Sequence, residues 1–232
     1  MCSTSVIEFF IEAVKLDEFK GKRVLEIGSK YINGSVRPLI ERFLQPREYV
    51  GIDIEPGKFV DIVLPAEKVL DFFGPESFDV VIATELLEHV KDWRLVVNNM
   101  KGILKKGGYI YITTRSRGFP YHGYPHDYWR FELSDMKLVF RDFEILYLKC
   151  DHLAPGVFLK ARKPENWVPA DLSNIALYSI ILGRRTKGIV DFEDAPLVRR
   201  LMLQFLTSDK MRILRWILPG HLVGYLQRKF LY

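Results

Sequence analysis

Two short apolar segments, each with an acidic residue near its end, constrain the fold more than any other feature. The first reads Arg-Val-Leu-Glu-Ile-Gly over residues 23–28, and the second reads Tyr-Val-Gly-Ile-Asp-Ile over residues 49–54. The residues between them can hold one turn and one helix, which predicts the opening strand–helix–strand unit of a nucleotide-binding sheet. A glycine lets the backbone approach a ligand, and an acid after the second strand can accept hydrogen bonds from ribose hydroxyls.

Apolar strand patterns and helical spacings alternate as far as residue 164. The chain is 48% hydrophobic, so a substantial core can form. We expect strands near residues 23–27, 49–54, 60–64, 78–83, 109–113, 143–149 and 156–162, and helices near residues 4–16, 36–44, 68–73, 95–104 and 134–140. The alternation implies a doubly wound, Rossmann-like α/β sheet of seven strands. Since no helix joins the final two strands, the last strand is expected to be antiparallel.

The chain after Pro164 differs in pattern and in charge. We expect residues 1–164 to form one domain and residues 165–232 to form a helical, basic accessory segment. Residues 1–183 hold 24 basic and 25 acidic residues, whereas residues 184–232 hold 10 and 4. Three interpretations of residues 171–232 stay open: a helical cap packed on the domain or on a second copy, attachment to an anionic membrane, or nucleic-acid contact.

Cysteine usage and the N-terminus indicate the compartment. Cys2 and Cys150 form no disulfide framework and have no metal-site spacing, which indicates a reducing, intracellular environment. No basic segment precedes an apolar stretch at the N-terminus, and no run approaches the roughly 18 apolar residues of a membrane span. We therefore expect a cytoplasmic protein, either free or bound peripherally to a membrane.

Five stretches of the chain resemble the class I S-adenosylmethionine-dependent methyltransferases. They are residues 24–28, 50–53, 78–81, 85–90 and 104–108, in the order and spacing of that family. The last two stretches are the most specific, and together the five look like the type 11 subgroup that methylates small molecules, lipids and sugars. The resemblance covers about residues 20–163. It implies an enzyme that binds S-adenosylmethionine and releases S-adenosylhomocysteine.

The resemblance also implies a set of cofactor-binding residues. They are Glu26, Gly28, Ser29, Gly34, Asp53, Ile54, Ala66, Glu67, Thr84 and Glu85. Asp53 would bind the ribose hydroxyls, with Ile54 against the adenine, and Glu26 would organise the glycine loop. The chain departs from the family at Lys30, which stands where the usual loop has a second glycine, and a side chain there restricts the backbone angles. Taken alone, Gly28 is also compatible with a simple turn.

The candidate chemistry lies in an aromatic, histidine-rich loop over residues 115–130, directly after the fifth strand. His122 and His126 are candidate proton acceptors, and Asp127 could orient one of them or act itself. Candidate acceptor-binding residues are His89, Arg115, Tyr121, Tyr124, Tyr128, Trp129 and Arg130. The alternative is a packed aromatic lid whose histidines only contact backbone. The glycine and proline between the two histidines argue against a helical metal site.

These patterns predict methyl transfer to a small-molecule, glycan or lipid acceptor, with oxygen as the favoured atom. Two alternatives stay open: an RNA or protein methyltransferase that docks through the basic tail, and a scaffold that binds the cofactor without catalysis. A Tyr-x-x-x-Lys dehydrogenase pattern occurs only at residues 225–229, far from the fifth strand, and the phosphate-binding lysine motif is absent. The sequence leaves open the acceptor's identity, the oligomeric state and the need for a general base.

Overall fold

A computed structural model describes residues 3–123 and 126–207 of the chain. The main sheet is built from β1 (Arg23–Ile27), β2 (Glu48–Asp53), β3 (Ile62–Val63), β4 (Phe78–Thr84), β5 (Leu104–Arg115), β7 (Glu144–Cys150) and β8 (Gly156–Arg162). Between β5 and β7 lies a short strand, β6 (Trp129–Arg130). The helices are α1 (Thr4–Ala13), α2 (Leu16–Phe19), α3 (Arg37–Leu44), α4 (Val69–Phe73), α5 (Trp93–Ile103), α6 (Leu133–Val139) and α7 (Leu197–Thr207).

The main sheet has seven strands in the order β3-β2-β1-β4-β5-β8-β7. The strands from β3 to β5 pair in parallel, while β8 pairs antiparallel with both β5 and β7. The predicted doubly wound sheet with an antiparallel last strand is therefore confirmed. The strand order reverses between β1 and β4, and in such sheets ligands bind beyond the carboxyl ends of the strands at that reversal.

Helices cover both faces of the sheet, which explains why the central strands are continuous apolar runs. Six of the seven residues of β4 are buried. On one face Phe10 and Ile40 pack with Tyr111 in a cluster of aromatic and aliphatic side chains. On the other face Trp93 and Met100 of α5 belong to a larger cluster. Each fully buried side chain of this size contributes about 2–3 kcal/mol of hydrophobic stabilisation.

The prediction that the chain after residue 164 is purely helical is wrong for residues 177–186. Two strands, β9 (Leu177–Ser179) and β10 (Arg184–Thr186), form a three-stranded sheet with β6 in the order β10-β9-β6. The strand that pairs with β9, β6, lies nearly 50 residues earlier in the chain, so local periodicity could not reveal the pairing. Leu177 and Ile180 belong to the same buried cluster as α5.

Within the accessory segment, the predicted helical structure is confirmed at α7. The part of that segment from residue 208 onward lies outside the described residues. The division into domains at residue 164 also stays a prediction. Within the described ranges, no helix is both long and apolar enough to span a bilayer.

Candidate active site

A cavity of about 550 Å³ opens at the carboxyl ends of β1, β2 and β4. Its wall includes eight residues that the sequence analysis selected: Gly28, Asp53, Ile54, Ala66, Glu67, Glu85, His89 and Tyr128. Eight further residues complete the wall: Ile27, Lys30, Ile32, Glu55, Leu64, Leu86, Val90 and Lys91. The cavity therefore runs from the loops after β1 and β2 to the segment that follows β4. Its volume is typical of a small-ligand site.

Asp53, at the end of β2, is held rigidly at one end of the cavity. Its carboxylate accepts hydrogen bonds from the backbone N–H of Lys30 at 3.1 Å and of Glu55 at 3.3 Å. The side chains of those two residues form an ion pair at 2.5 Å. Lys30 thus takes part in fixing Asp53, and its φ is not among the positive ones. The loop does not need a second glycine at this position.

Gly28 has the backbone conformation that favours glycine. Its φ is +80°, and a Cβ atom placed there would lie 3.1 Å from Cδ1 of Leu86. The N–H groups of Gly28 and Ser29 both donate to the carbonyl of Ile52 at 2.9 Å. The loop after β1 is therefore tied to β2, which brings it and Asp53 to the same end of the cavity.

Glu26 is a buried carboxyl group behind this loop. It accepts a hydrogen bond from the hydroxyl of Tyr49 at 2.8 Å and does not line the cavity. Burial raises the pKa of Glu26 to about 7, although the Tyr49 hydrogen bond opposes the shift. The predicted role as organiser of the loop is compatible with this position.

Glu85 is the second buried acid, and it lies on the cavity wall. Its φ is +52°, an unusual value for a non-glycine residue, and its N–H donates to the carbonyl of Thr113 at 2.9 Å. One carboxylate oxygen forms an ion pair with Arg115, and the other finds no hydrogen-bond partner among the described residues. Burial, together with the charge of Glu88, raises the pKa of Glu85 to about 7. Strain of this kind often marks a functional position.

His122 and Asp127 form a buried pair behind the other end of the cavity. The Asp127 carboxylate lies 2.9 Å from Nδ1 of His122 and accepts the His122 backbone N–H at 3.1 Å. Arg130 donates two hydrogen bonds to the same carboxylate. Burial opposes the ionisation of Asp127, yet Arg130 and His122 outweigh it and hold its pKa well below the usual range. Burial also lowers the pKa of His122, but Asp127 reverses that effect and raises it.

His89 connects this pair to the cavity. It lines the cavity wall, and its ring centroid lies 4.7 Å from that of His122. The Nδ1 atom of His89 lies 2.9 Å from the backbone carbonyl oxygen of His126. A carbonyl can only accept, so Nδ1 carries the proton in neutral His89, and Nε2 is left as the acceptor.

Glu88 extends the same cluster and was not selected from the sequence. It is fully buried, and one oxygen accepts the hydroxyl of Thr114 at 2.9 Å. Its other oxygen lies 3.8 Å from Nε2 of His122, and neither atom has a hydrogen-bond partner among the described residues. Potential metal-ligating atoms of Glu88, His89 and His122 all lie within 4.8 Å of one another.

His126 lies apart from the His122–Asp127 pair. Its ring stacks on Phe192, with centroids 5.1 Å apart and an interplanar angle of 14°. Both loop histidines are equivalent candidates in the sequence, whereas the structure brings only His122 to Asp127. Direct proton acceptance by His126 gains no support from this position.

Several other predicted residues lie away from the cavity wall. Glu26, Ser29, Gly34, Thr84, Arg115, Tyr121, Trp129 and Arg130 are not part of it, and Tyr124 lies outside the described residues. Trp129 and Arg130 are fully buried; the Trp129 indole donates to the carbonyl of Val90 at 3.0 Å. We therefore interpret Arg130 and Trp129 as residues that hold the loop, in place of their predicted contact with the acceptor.

The residues of the cavity fit the predicted cofactor. Ile54, Leu64 and Ala66 offer apolar surface for an adenine beside the carboxylate of Asp53, which suits a ribose diol. The free oxygen of Glu85 suits a cationic group such as the ammonium of a methionine moiety. These groups share one cavity, so the arrangement can hold a nucleoside and an amino-acid portion together.

Comparisons with known proteins support the family and the fold. The methyltransferase domain family matches residues 5–142. A ubiquinone biosynthesis O-methyltransferase of Vibrio atlanticus is 27% identical over 114 residues, which are 45% of this chain and 48% of that protein. The chain therefore spans about half the length of the curated relatives it matches.

Solved structures show the same fold at low sequence identity. A putative S-adenosylmethionine-dependent methyltransferase of Listeria monocytogenes has a TM-score of 0.54 at 12% identity, covering 69% of this chain and 98% of its own. A 1,6-didemethyltoxoflavin-N1-methyltransferase of Burkholderia thailandensis, solved with bound S-adenosylhomocysteine, has a TM-score of 0.52 at 14% identity, covering 63% and 72%.

Proposed function

The chain belongs to the methyltransferase domain family, and from this premise we propose that it transfers the methyl group of S-adenosylmethionine to a hydroxyl oxygen of a small-molecule or lipid acceptor. The observation that carries the proposal is the arrangement along one cavity. Asp53 lies at one end, Glu85 lines the wall, and His89 faces the cavity in front of the His122–Asp127 pair. One end suits the cofactor, and the other suits proton removal from an acceptor.

The cofactor end is assigned to Gly28, Asp53, Ile54 and Glu85. When bound, S-adenosylmethionine supplies a methyl group activated by a sulfonium sulfur. Asp53 binds the ribose hydroxyls, and Glu85 faces the ammonium group. The protein's contribution is then to align the acceptor with the methyl group and to exclude water.

The proton of the acceptor hydroxyl passes to Nε2 of His89. The hydrogen bond between Nδ1 and the His126 carbonyl orients the ring for this task. His122, whose pKa Asp127 raises, stands directly behind and stabilises nearby negative charge, including that of Glu88. An imidazole whose Nε2 is left as an acceptor suits general-base catalysis.

A hydroxyl acceptor must lose its proton during methyl transfer, which gives the proposed base a role. The curated relatives, which are ubiquinone biosynthesis O-methyltransferases, favour an oxygen as well. The proposal does not extend to RNA or protein acceptors, because no described residue on the cavity wall singles out a polymer.

The test combines cofactor binding with methyl transfer. Wild-type protein is titrated with S-adenosylhomocysteine, and then labelled S-adenosylmethionine is incubated with lipid, small-molecule, RNA and protein fractions of a cell extract. We expect label in the lipid or small-molecule fraction. Replacement His89→Gln should lower transfer by about 100-fold or more while cofactor affinity stays unchanged.

The matched control is His152→Gln, because His152 is exposed and lies in the turn between β7 and β8. This variant should transfer label like the wild type. Label in RNA or protein alone would contradict the proposal. Cofactor binding without transfer to any fraction would also contradict it, and would favour the scaffold alternative.

A further inference from the structure

The wall of the cavity on the acceptor side is supported by a part of the chain beyond the family match. The match to the methyltransferase domain family ends at residue 142, whereas the supporting contacts come from residues 172–194. Arg94 of α5 follows the cavity residues Val90 and Lys91 in the chain, and it donates to the carbonyls of Leu172 at 2.9 Å and Ile175 at 2.6 Å. These bonds anchor the later segment beside the site.

The first direct contact is an ion pair across the edge of the cavity. Lys91 lines the wall, and its ammonium group pairs with the carboxylate of Asp191, 100 residues later in the chain. Both side chains are a little under half exposed. The pair therefore fixes the position of a cation beside the acceptor end without burying it.

The second contact runs through an aromatic pair. Phe192 stacks on the ring of His126, and the backbone carbonyl of His126 is the group that orients His89. A change at Phe192 therefore reaches the proposed proton acceptor through one intermediate residue. Stacked aromatic pairs contribute about 0.5–1.5 kcal/mol beyond the area they bury.

The third contact fixes the backbone of the loop itself. The N–H of Ile180 donates to the carbonyl of Tyr128 at 2.9 Å, and Trp129 pairs with Ser179 between β6 and β9. Tyr128 is a cavity residue. The loop that bears the acceptor side is thus held by the small second sheet.

The turn that carries Asp191 and Phe192 is closed by its own hydrogen bonds. The N–H of Asp191 donates to the carboxylate of Asp194 at 2.8 Å, and the N–H of Asp194 donates to the Asp191 carbonyl at 3.2 Å. This reciprocal pattern closes the short helical turn Phe192–Asp194. Both contacts with the site therefore come from one hydrogen-bonded turn.

We propose that residues 191–194 position the acceptor end of the site: Asp191 holds Lys91, and Phe192 holds His126 and, through it, His89. The inference rests on the proposed function. Asp191 and Phe192 act as positioning residues, since they reach the acceptor only through their partners. They determine which acceptors are methylated and leave cofactor binding unaffected.

The experiment is a charge-swap cycle with two readouts. The variants Lys91→Asp and Asp191→Lys, and the double variant that combines them, are compared with the wild type. The readouts are S-adenosylhomocysteine affinity by calorimetry, and KM and kcat for labelled methyl transfer to the extract fraction that accepts label. We expect each single variant to raise KM about fivefold, with the double variant near the wild-type value.

A second pair of variants tests the aromatic contact. Phe192→Ala should lower kcat about tenfold and shift its pH profile, whereas Phe192→Tyr should preserve both, because the ring contact remains. S-adenosylhomocysteine affinity should stay within about twofold of the wild type in every variant.

Three outcomes have distinct meanings. Parallel loss of cofactor affinity and transfer in the single variants would overturn the inference, since it would show a general structural role. Wild-type values of KM and kcat in both Asp191→Lys and Phe192→Ala would overturn it as well. Absence of transfer by the wild type would instead refute the proposed function, before any variant is compared.

Discussion

The buried acid Glu26 leads to a prediction of increased stability on mutation. Burial raises its pKa from 4.5 to about 7 in the folded protein. A raised folded pKa means that the carboxyl group's contribution to stability is fully present below pH 4.5 and is lost as the pH rises through about 7. Glutamine cannot ionise and can still accept the hydrogen bond from Tyr49, so Glu26→Gln should avoid this loss.

The magnitude follows from proton linkage. The rise of the Glu26 pKa from 4.5 to about 7 corresponds to about 3 kcal/mol of unfolding free energy at pH 8, and to about 1 kcal/mol at pH 5. Urea unfolding of wild type and variant at both pH values, followed by tryptophan fluorescence, measures the difference. The control is the same substitution at Glu144, an exposed residue of β7 that does not contribute to the shift of Glu26. A Glu26→Gln variant no more stable than the wild type at pH 8 would refute the reasoning.

Three further predictions concern the histidine cluster. Asp127→Asn leaves the buried Arg130 without its counter-ion, and should lower the free energy of urea unfolding by about 3 kcal/mol; an unchanged value would contradict the assigned pairing. Because its pKa is raised, His122 contributes stability that is present below about pH 6.5 and is lost as the pH rises further. The difference in unfolding free energy between pH 6 and pH 9 should therefore be smaller in His122→Gln than in the wild type. Chelation with EDTA should leave methyl transfer unchanged, whereas a loss restored by a divalent cation would assign Glu88, His89 and His122 to a metal.

Much of the fold was predictable, because its signals are local. The segments that became β1 and β2 combine apolar runs with a glycine and an acid. The predicted bounds of β1 match the observed ones, and those of β2 differ by one residue at each end. The family match confirms the predicted methyltransferase family, and the seven-stranded sheet confirms the predicted Rossmann-like fold. The individual residue roles remain predictions.

The parts that were missed depend on contacts between distant segments. Pairing of β6 with β9 joins residues almost 50 positions apart, and the Lys91–Asp191 pair joins residues 100 positions apart. The hydrophobic periodicity within one segment does not indicate which distant segment it contacts. The same reason explains why His126 and His122 appeared equivalent in sequence, although only His122 meets Asp127.

Part of residues 171–232 packs on the domain, because Leu177, Ile180 and Leu203 belong to the same buried cluster as α5. Within α7, Leu197, Leu201 and Phe205 are exposed, while Leu203 is buried. Self-association, membrane attachment and nucleic-acid contact through residues 171–232 therefore stay predictions. The residues that follow α7 lie outside the described part of the chain.

The central claim is that the cavity between Asp53 and His89 binds the cofactor, and calorimetric titration with S-adenosylhomocysteine tests it most directly. We expect saturable binding of one molecule per chain. Asp53→Asn should weaken it by about 10- to 100-fold, since a hydrogen bond to a charged group contributes about 1.5–3 kcal/mol. Absence of binding to the wild type at millimolar ligand, or equal affinity in Asp53→Asn, would contradict the account.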